Sequence, residues 1–233
     1  MRSMNKISKF AAIGLLTLSG ISLALPAHAI PSLRLTTGGA SVTIEDGDAN
    51  DERAEAGIVA YGQGIGDFFL TSSIGITKPV LGSPNAPSLD LLSVQVSASS
   101  STSSIVVEFS DSDFFADGPT VSLPSLIGET ANGTLRYQTF ASLSNDEFAK
   151  DILISDSGVF QPGAFAFQDY ATIALAGEYS LTAVITITHG ASIVNSSFNA
   201  TVEIAEPGLI SMISLSGLLF AAGISTRRRQ NRR

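Results

Sequence analysis

Residues 178–190 read EYSLTAVITITHG, and their alternation decides the fold. Tyr179, Leu181, Ala183, Ile185 and Ile187 stand at every second position, with Ser180, Thr182, Thr186 and Thr188 between them; only Val184 interrupts the pattern. Side chains of a strand point alternately to its two faces, so a period of two rich in β-branched residues marks a strand with one buried face. The next residues, His189, Gly190 and Ala191, read as a turn. In SIVNSSFNATVEI (192–204), Val194, Phe198, Ala200, Val202 and Ile204 share a face. The two runs are expected to pair as a long C-terminal hairpin.

Similar runs recur upstream as SLRLT (32–36), ASVTIED (40–46), GIVAYG (57–62), DFFLTSSIGIT (67–77) and LDLLSVQVSA (89–98). They continue as SIVVEFS (104–110), TLRYQTFAS (134–142) and KDILIS (150–155). Gly, Pro, Ser and Asn clusters such as VLGSPNAPS (80–88) and GVFQPGA (158–164) separate them. The Ser/Thr run from Ser97 to Ser104 reads as a loop between two strands, GQGIG (62–66) as a hairpin turn, and only SNDEFAKDI (144–152) could make a single helical turn. Many short strands with regular turn punctuation and no amphipathic helix predict an all-β fold, a single antiparallel β-sandwich or jelly roll over 30–204. That length suffices for one domain with a sizeable core.

Charge narrows the function classes. All 21 acidic residues lie between Glu45 and Glu206, where the only basic residues are Arg53, Lys78, Arg136 and Lys150. Counting Arg34 with them, residues 30–206 carry five basic and 21 acidic side chains, a net charge of −16. Such a surface repels nucleic acid and anionic lipid, keeps the domain soluble and attracts cations. The chain has no cysteine, which removes thiol catalysis and thiolate zinc sites.

Three clusters carry candidate chemistry. In EDGDANDERAEAG (45–57), Asp46, Asp48 and Asn50 have the alternate oxygen spacing of a calcium loop, with Asp51, Glu52 and Glu55 behind them. The EF-hand pattern fails, because Asp51 stands at its glycine position and Gly57 at its closing glutamate. The stretch reads as an acidic turn between strands; if Ca2+ binds, Asp46, Asp48, Asn50 and Glu52 are the ligands and the role is structural. In FSDSDFFADG (109–118), Asp111, Asp113 and Asp117 offer paired carboxylates. With no tryptophan to stack on a sugar ring, a solvated turn is expected there. Third, His189 would need a serine and an acid for hydrolysis, and no G-x-S-x-G elbow occurs. No catalytic residue is assigned and no cofactor is required. Asn132, Asn195 and Asn199 fit the N-x-S/T acceptor pattern.

The two ends read as an address. Arg2, Lys6 and Lys9 precede an apolar stretch from Phe10 to Leu25, and Ala27-His28-Ala29 is a small-x-small site, so residues 1–29 read as a signal peptide cut between Ala29 and Ile30 by signal peptidase. At the other end, residues 205–233 contain Glu206 and Pro207, an uncharged run from Leu209 to Thr226, and then Arg227, Arg228, Arg229, Arg232 and Arg233. As a helix, 208–226 would extend about 28 Å, enough to span a hydrocarbon core of roughly 30 Å, with the arginines on the cytoplasmic side.

The Glu-Pro pair, short hydrophobic helix and terminal arginine cluster together resemble the PEP-CTERM sorting signal of Gram-negative bacteria. Ala205 stands where that family most often has proline. The resemblance implies that the protein is a substrate of exosortase, a membrane-embedded cysteine-protease-like enzyme. It further implies transient anchoring in the inner membrane by 209–226, then release to the cell surface or outside the cell. More loosely, residues 33–91 resemble the body of uncharacterised exported members of the family. The expected role is structural or adhesive, in biofilm or exopolysaccharide. A calcium- or carbohydrate-binding extracellular module and an exported hydrolase are the alternatives.

Overall fold

The computed structural model of the chain describes residues 29–98, 102–190 and 193–204. The signal-peptide site at Ala27, the sorting residues Glu206, Pro207, Arg227, Arg228 and Arg229, and the expected membrane helix lie outside them. Among the described residues no helix is long and apolar enough to cross a membrane.

Fourteen strands follow one another: β1 (Ser32–Thr37), β2 (Ala40–Glu45), β3 (Ile58–Tyr61), β4 (Gly64–Ile65), β5 (Phe68–Leu70), β6 (Ser73–Ile76) and β7 (Ser88–Ala98); then β8 (Ser103–Ala116), β9 (Val121–Ala131), β10 (Thr134–Ser142), β11 (Ile152–Phe160), β12 (Gly163–Ile173), β13 (Gly177–His189) and β14 (Asn195–Glu203). They form two antiparallel sheets. The six-stranded sheet A runs β11-β10-β13-β8-β1-β2. The eight-stranded sheet B runs β12-β9-β14-β7-β5-β4, with β6 also beside β7 and β3 beside β6. The expected all-β, sandwich-like architecture is therefore present.

One core lies between the sheets. Sheet A contributes Leu33, Leu35, Ile105, Val107, Phe109, Leu135, Tyr137, Leu181, Ile185 and Ile187, all fully buried. Leu89, Leu91, Leu123, Phe198, Ala200 and Val202 meet them from sheet B. Burying each large apolar side chain stabilises the fold by roughly 1.5–3 kcal/mol, which is why strict alternation is needed in the central strands. Hydroxyls caught in this interior pair with one another: Ser125 with Thr139 at 2.9 Å and Ser73 with Ser93 at 3.1 Å. Tyr137 reaches across the gap and donates to the Thr201 carbonyl at 3.1 Å.

Four local expectations need correction. The C-terminal runs are both strands, but they do not form a hairpin. β13 lies between β10 and β8 in sheet A, and β14 lies between β9 and β7 in sheet B. The segment after His189 thus crosses from one layer to the other, although the faces read for Tyr179–Ile187 and for Phe198–Val202 are the buried ones. SNDEFAKDI forms turns instead of a helical turn, with positive φ at Asn145 and Phe148. FSDSDFFADG lies within the 14-residue β8 as far as Ala116, and Asp111 within it is fully buried. Strands β9 and β12, absent from the sequence reading, complete sheet B.

Packing at β6 is tight enough to require glycine. A Cβ placed on Gly75 would lie 2.3 Å from a ring carbon of Phe109, which projects from sheet A. Gly75→Ala forces that ring to move, and a loss of about 1–3 kcal/mol is expected. Chemical denaturation checks it: the midpoint falls while the denaturant slope stays at the wild-type value.

Candidate functional site

Four of the five basic side chains of the described region are held by carboxylates, and in two of these assemblies the carboxylate is buried. Lys78 follows β6 of sheet B, and Asp111 stands on β8 of sheet A. Lys78 Nζ lies 2.7 Å from Asp111 Oδ2, donates also to the Ser112 carbonyl and sits 4.2 Å from the Phe114 ring centroid. Thr77 donates to the same carboxylate at 2.8 Å, and the Ser112 N–H donates to its other oxygen at 2.9 Å. Burial pushes the Asp111 carboxyl above the usual range, against the Lys78 charge and these hydrogen bonds. Glu147, on the segment covering this end of sheet A, is also raised, by burial first and by the nearby charges of Asp111 and Glu45.

The second assembly lies on the outer face of sheet A. Glu108 on β8 is held by Arg34 of β1, whose Nε lies 2.6 Å from its Oε2, and by an ion pair with Lys150. Burial works to raise the Glu108 carboxyl, yet the hydrogen bonds and charges of Arg34 and Lys150 hold it below the usual range. The segment 143–151 crosses this face. Its Phe148 N–H donates to Ser110 Oγ at 2.9 Å, Ser180 Oγ donates to the Asp146 carbonyl at 2.7 Å, and the Arg34 guanidinium lies 4.0 Å from the Phe148 ring centroid. Beside it, Arg34, Thr36, Ser41, Val106, Glu108 and Lys150 line an open groove of about 380 Å³.

A groove of about 830 Å³ opens on sheet B. Gly128 of β9 lies between Asn199 of β14 and Ala166 of β12, so the middle of three adjacent strands lacks a side chain there. Leu126, Gln168 and Thr201 form the next row of the lining. Gln168 is hydrogen-bonded to the hydroxyl of Tyr170, an exposed ring on the same strand.

The carboxylates of Asp46, Asp48, Asp51 and Glu52 in the acidic turn accept backbone N–H groups. Asp46 accepts from the Gly57 N–H at 2.6 Å, Asp48 from Asn50 N–H at 2.9 Å, and Glu52 from Gly62 N–H at 3.0 Å. Asp51 accepts from the Gly47, Arg53 and Ala60 N–H groups. Among the described residues no group of three or more His, Asp or Glu side chains is arranged to hold a metal ion. The three aspartates of FSDSDFFADG are dispersed: Asp111 pairs with Lys78, Asp113 with Asn145 at 2.6 Å, and Asp117, just past β8, with Asn85 at 2.9 Å.

His189 does meet a serine. Its Nε2 lies 2.8 Å from Ser196 Oγ, which also accepts the Asn132 N–H at 3.0 Å. Both His189 and Ser196 are buried, and His189 Nδ1 has no protein partner among the described residues. The arrangement links the end of β13 to β14 across the layers, and burial lowers the His189 pKa. Of the acceptor-pattern residues, the Asn132 amide is bonded to the Asn195 carbonyl, and Asn199 lines the sheet B groove.

The sequence reading missed Arg34, Glu108, Lys150, Lys78, Gly128 and Gln168. Glu108 had a visible signal, a lone charge inside the apolar run SIVVEFS. In comparison with known proteins, no family model matches the chain and no curated protein matches it.

Lys78→Ala would leave Asp111 buried without its counter-charge, and a loss of about 3–5 kcal/mol is expected, measured by equilibrium denaturation at neutral pH. His189 gives a pH signature. Its folded pKa lies below the ordinary 6.5, so below pH 6.5 the unfolded chain binds a proton that the folded one does not. Its contribution is complete above 6.5 and is lost as pH falls below that value. His189→Gln should flatten this part of the stability–pH curve, which denaturation between about pH 7 and pH 5 would register.

Proposed function

We propose that the protein is an exported, non-catalytic β-sandwich of the cell surface or extracellular matrix, with a structural or adhesive role in biofilm or exopolysaccharide. One observation carries the reading: the side chains with catalytic potential are committed to holding the fold. Asp111 is bound to Lys78, Glu108 to Arg34 and Lys150, and His189 to Ser196 inside the core. The strong acidity of the domain agrees with a soluble life outside the cell, since its few cations are mostly consumed in these pairs. The terminal segments supply the proposed route: signal peptidase at Ala29, membrane retention through 209–226, and exosortase at the Glu206–Pro207 region.

The sheet B groove favours a second reading as a carbohydrate-binding module. Its lining offers the Asn199 and Gln168 amides and the Thr201 hydroxyl beside the exposed Tyr170 ring, groups suited to a sugar chain.

Intact-mass spectrometry of protein from the membrane and extracellular fractions of its host tests the route. The expected extracellular form starts at Ile30, ends near Glu206 and lacks the arginines. Finding only a membrane form that retains Arg233 would overturn the sorting proposal.

A further inference from the structure

A sheet edge exposes a row of unpaired N–H and C=O groups, and proteins guard such edges with short strands, bulges, proline, lysine or a cover. The other edges of this sandwich are guarded; β3, which pairs only with β6, has four residues. β2 has six residues, and β4 has two. β11 is broken by register shifts against β10 and by a positive φ at Gly158.

β12 differs from all of these. It pairs with β9 over 11 consecutive residues without a shift, and among the described residues no strand lies beyond it. Its sequence, GAFAFQDYATI, has no lysine, arginine or proline. The side chains it turns towards the core, Phe165, Phe167, Asp169, Ala171 and Ile173, remain half-exposed, whereas Leu123, Ile127 and Ala131 on neighbouring β9 are buried. The layer is therefore only partly covered at this edge, by β11, whose Phe160 ring stacks on Phe165 with centroids 4.8 Å apart. Asp169 is the strand's single charge; its carboxylate takes the Ser155 hydroxyl at 2.8 Å and the Tyr170 N–H at 2.9 Å.

We propose that β12 is an association surface for a second copy of this chain, the two β12 strands pairing antiparallel about a two-fold axis into one continuous sheet. The strand is self-complementary in the register centred on Gln168. There Tyr170 faces Ala166 of the second copy, Phe165 faces Ala171, and Asp169 faces Phe167, so the carboxylates do not oppose each other. A two-fold contact of this isologous kind closes at the dimer. The opposing force is the net charge of −8 on each chain, which salt screens. Association is thus expected to strengthen with ionic strength, the reverse of a contact held by ion pairs. This inference stands apart from the matrix role proposed above.

The absence of cysteine allows a direct test on the full chain held in neutral detergent. Directly opposed residues of an antiparallel pair have Cα atoms about 4.5–5.5 Å apart, within disulfide range. Under mild oxidation Gln168→Cys should form a covalent dimer, while Thr43→Cys on the short β2 should not. In sedimentation velocity at about 0.5 M salt, wild type should associate, with A166K/Q168K weakened by at least about tenfold and T43K unchanged. Both substitutions in the double variant fall on exposed residues and reduce the negative net charge, so general repulsion cannot explain the loss. Circular dichroism confirms that the variants remain folded. A wild-type chain that stays monomeric, crosslinking of Gln168→Cys no greater than that of Thr43→Cys, or association untouched by A166K/Q168K would overturn the proposal.

Discussion

The buried bridge between Lys78 and Asp111 joins the two layers of this sandwich where apolar packing alone would leave their relative position loosely specified. Asp111 is inaccessible to solvent and stands on a central strand of sheet A; Lys78 arrives from the end of β6 in sheet B. A carboxylate in that position is costly unless it is both neutralised and hydrogen-bonded. Lys78, Thr77 and the Ser112 N–H meet both needs, and the Phe114 ring offers its negative face to the ammonium. The polar groups accept few alternative arrangements, so they fix which residues of the two sheets lie opposite one another.

The same principle operates on the outside of sheet A. In β13, Ser180, Thr182 and Val184 are buried as well as the core-facing residues, because segment 143–151 lies across them. Glu108 anchors that cover through Arg34 and Lys150. Scarce cations are therefore concentrated on internal carboxylates, and much of the domain's acidity is left to the surface.

Much of the strand content was legible because hydrophobic burial enforces alternation. TLRYQTFAS is β10, residue for residue, and the apolar faces read in 179–187 and 198–202 face the core, although in β13 the opposite face is buried as well. Alternation does not say which sheet a strand joins, so β13 and β14 read as a hairpin although they belong to different layers. β12 escaped notice because its exposed face opens with Ala164 and Ala166, so its first residues show no polar alternation. β9 was disguised by Pro124 and Gly128. Pro124 is tolerated because the β14 ladder begins only at Ser125, so its missing N–H breaks no bond on that side. The candidate sites were less legible. In 46–52 the carboxylates accept backbone N–H groups of the same tight turn, which oxygen spacing alone does not reveal. Asp111 resembled its neighbours in a polar run, and its partner lies 33 residues away, where no local pattern points to it.

Native-state hydrogen exchange tests the central role of the buried bridge most directly. Backbone amides around it, at Thr77, Ser112 and the adjoining residues of β8 and β13, are expected to exchange only through global unfolding, with opening free energies equal to the stability measured by denaturation. Exchange at those amides through local openings well below the global value would show that the layers separate there independently, and would contradict the bridge as the element that locks the sandwich.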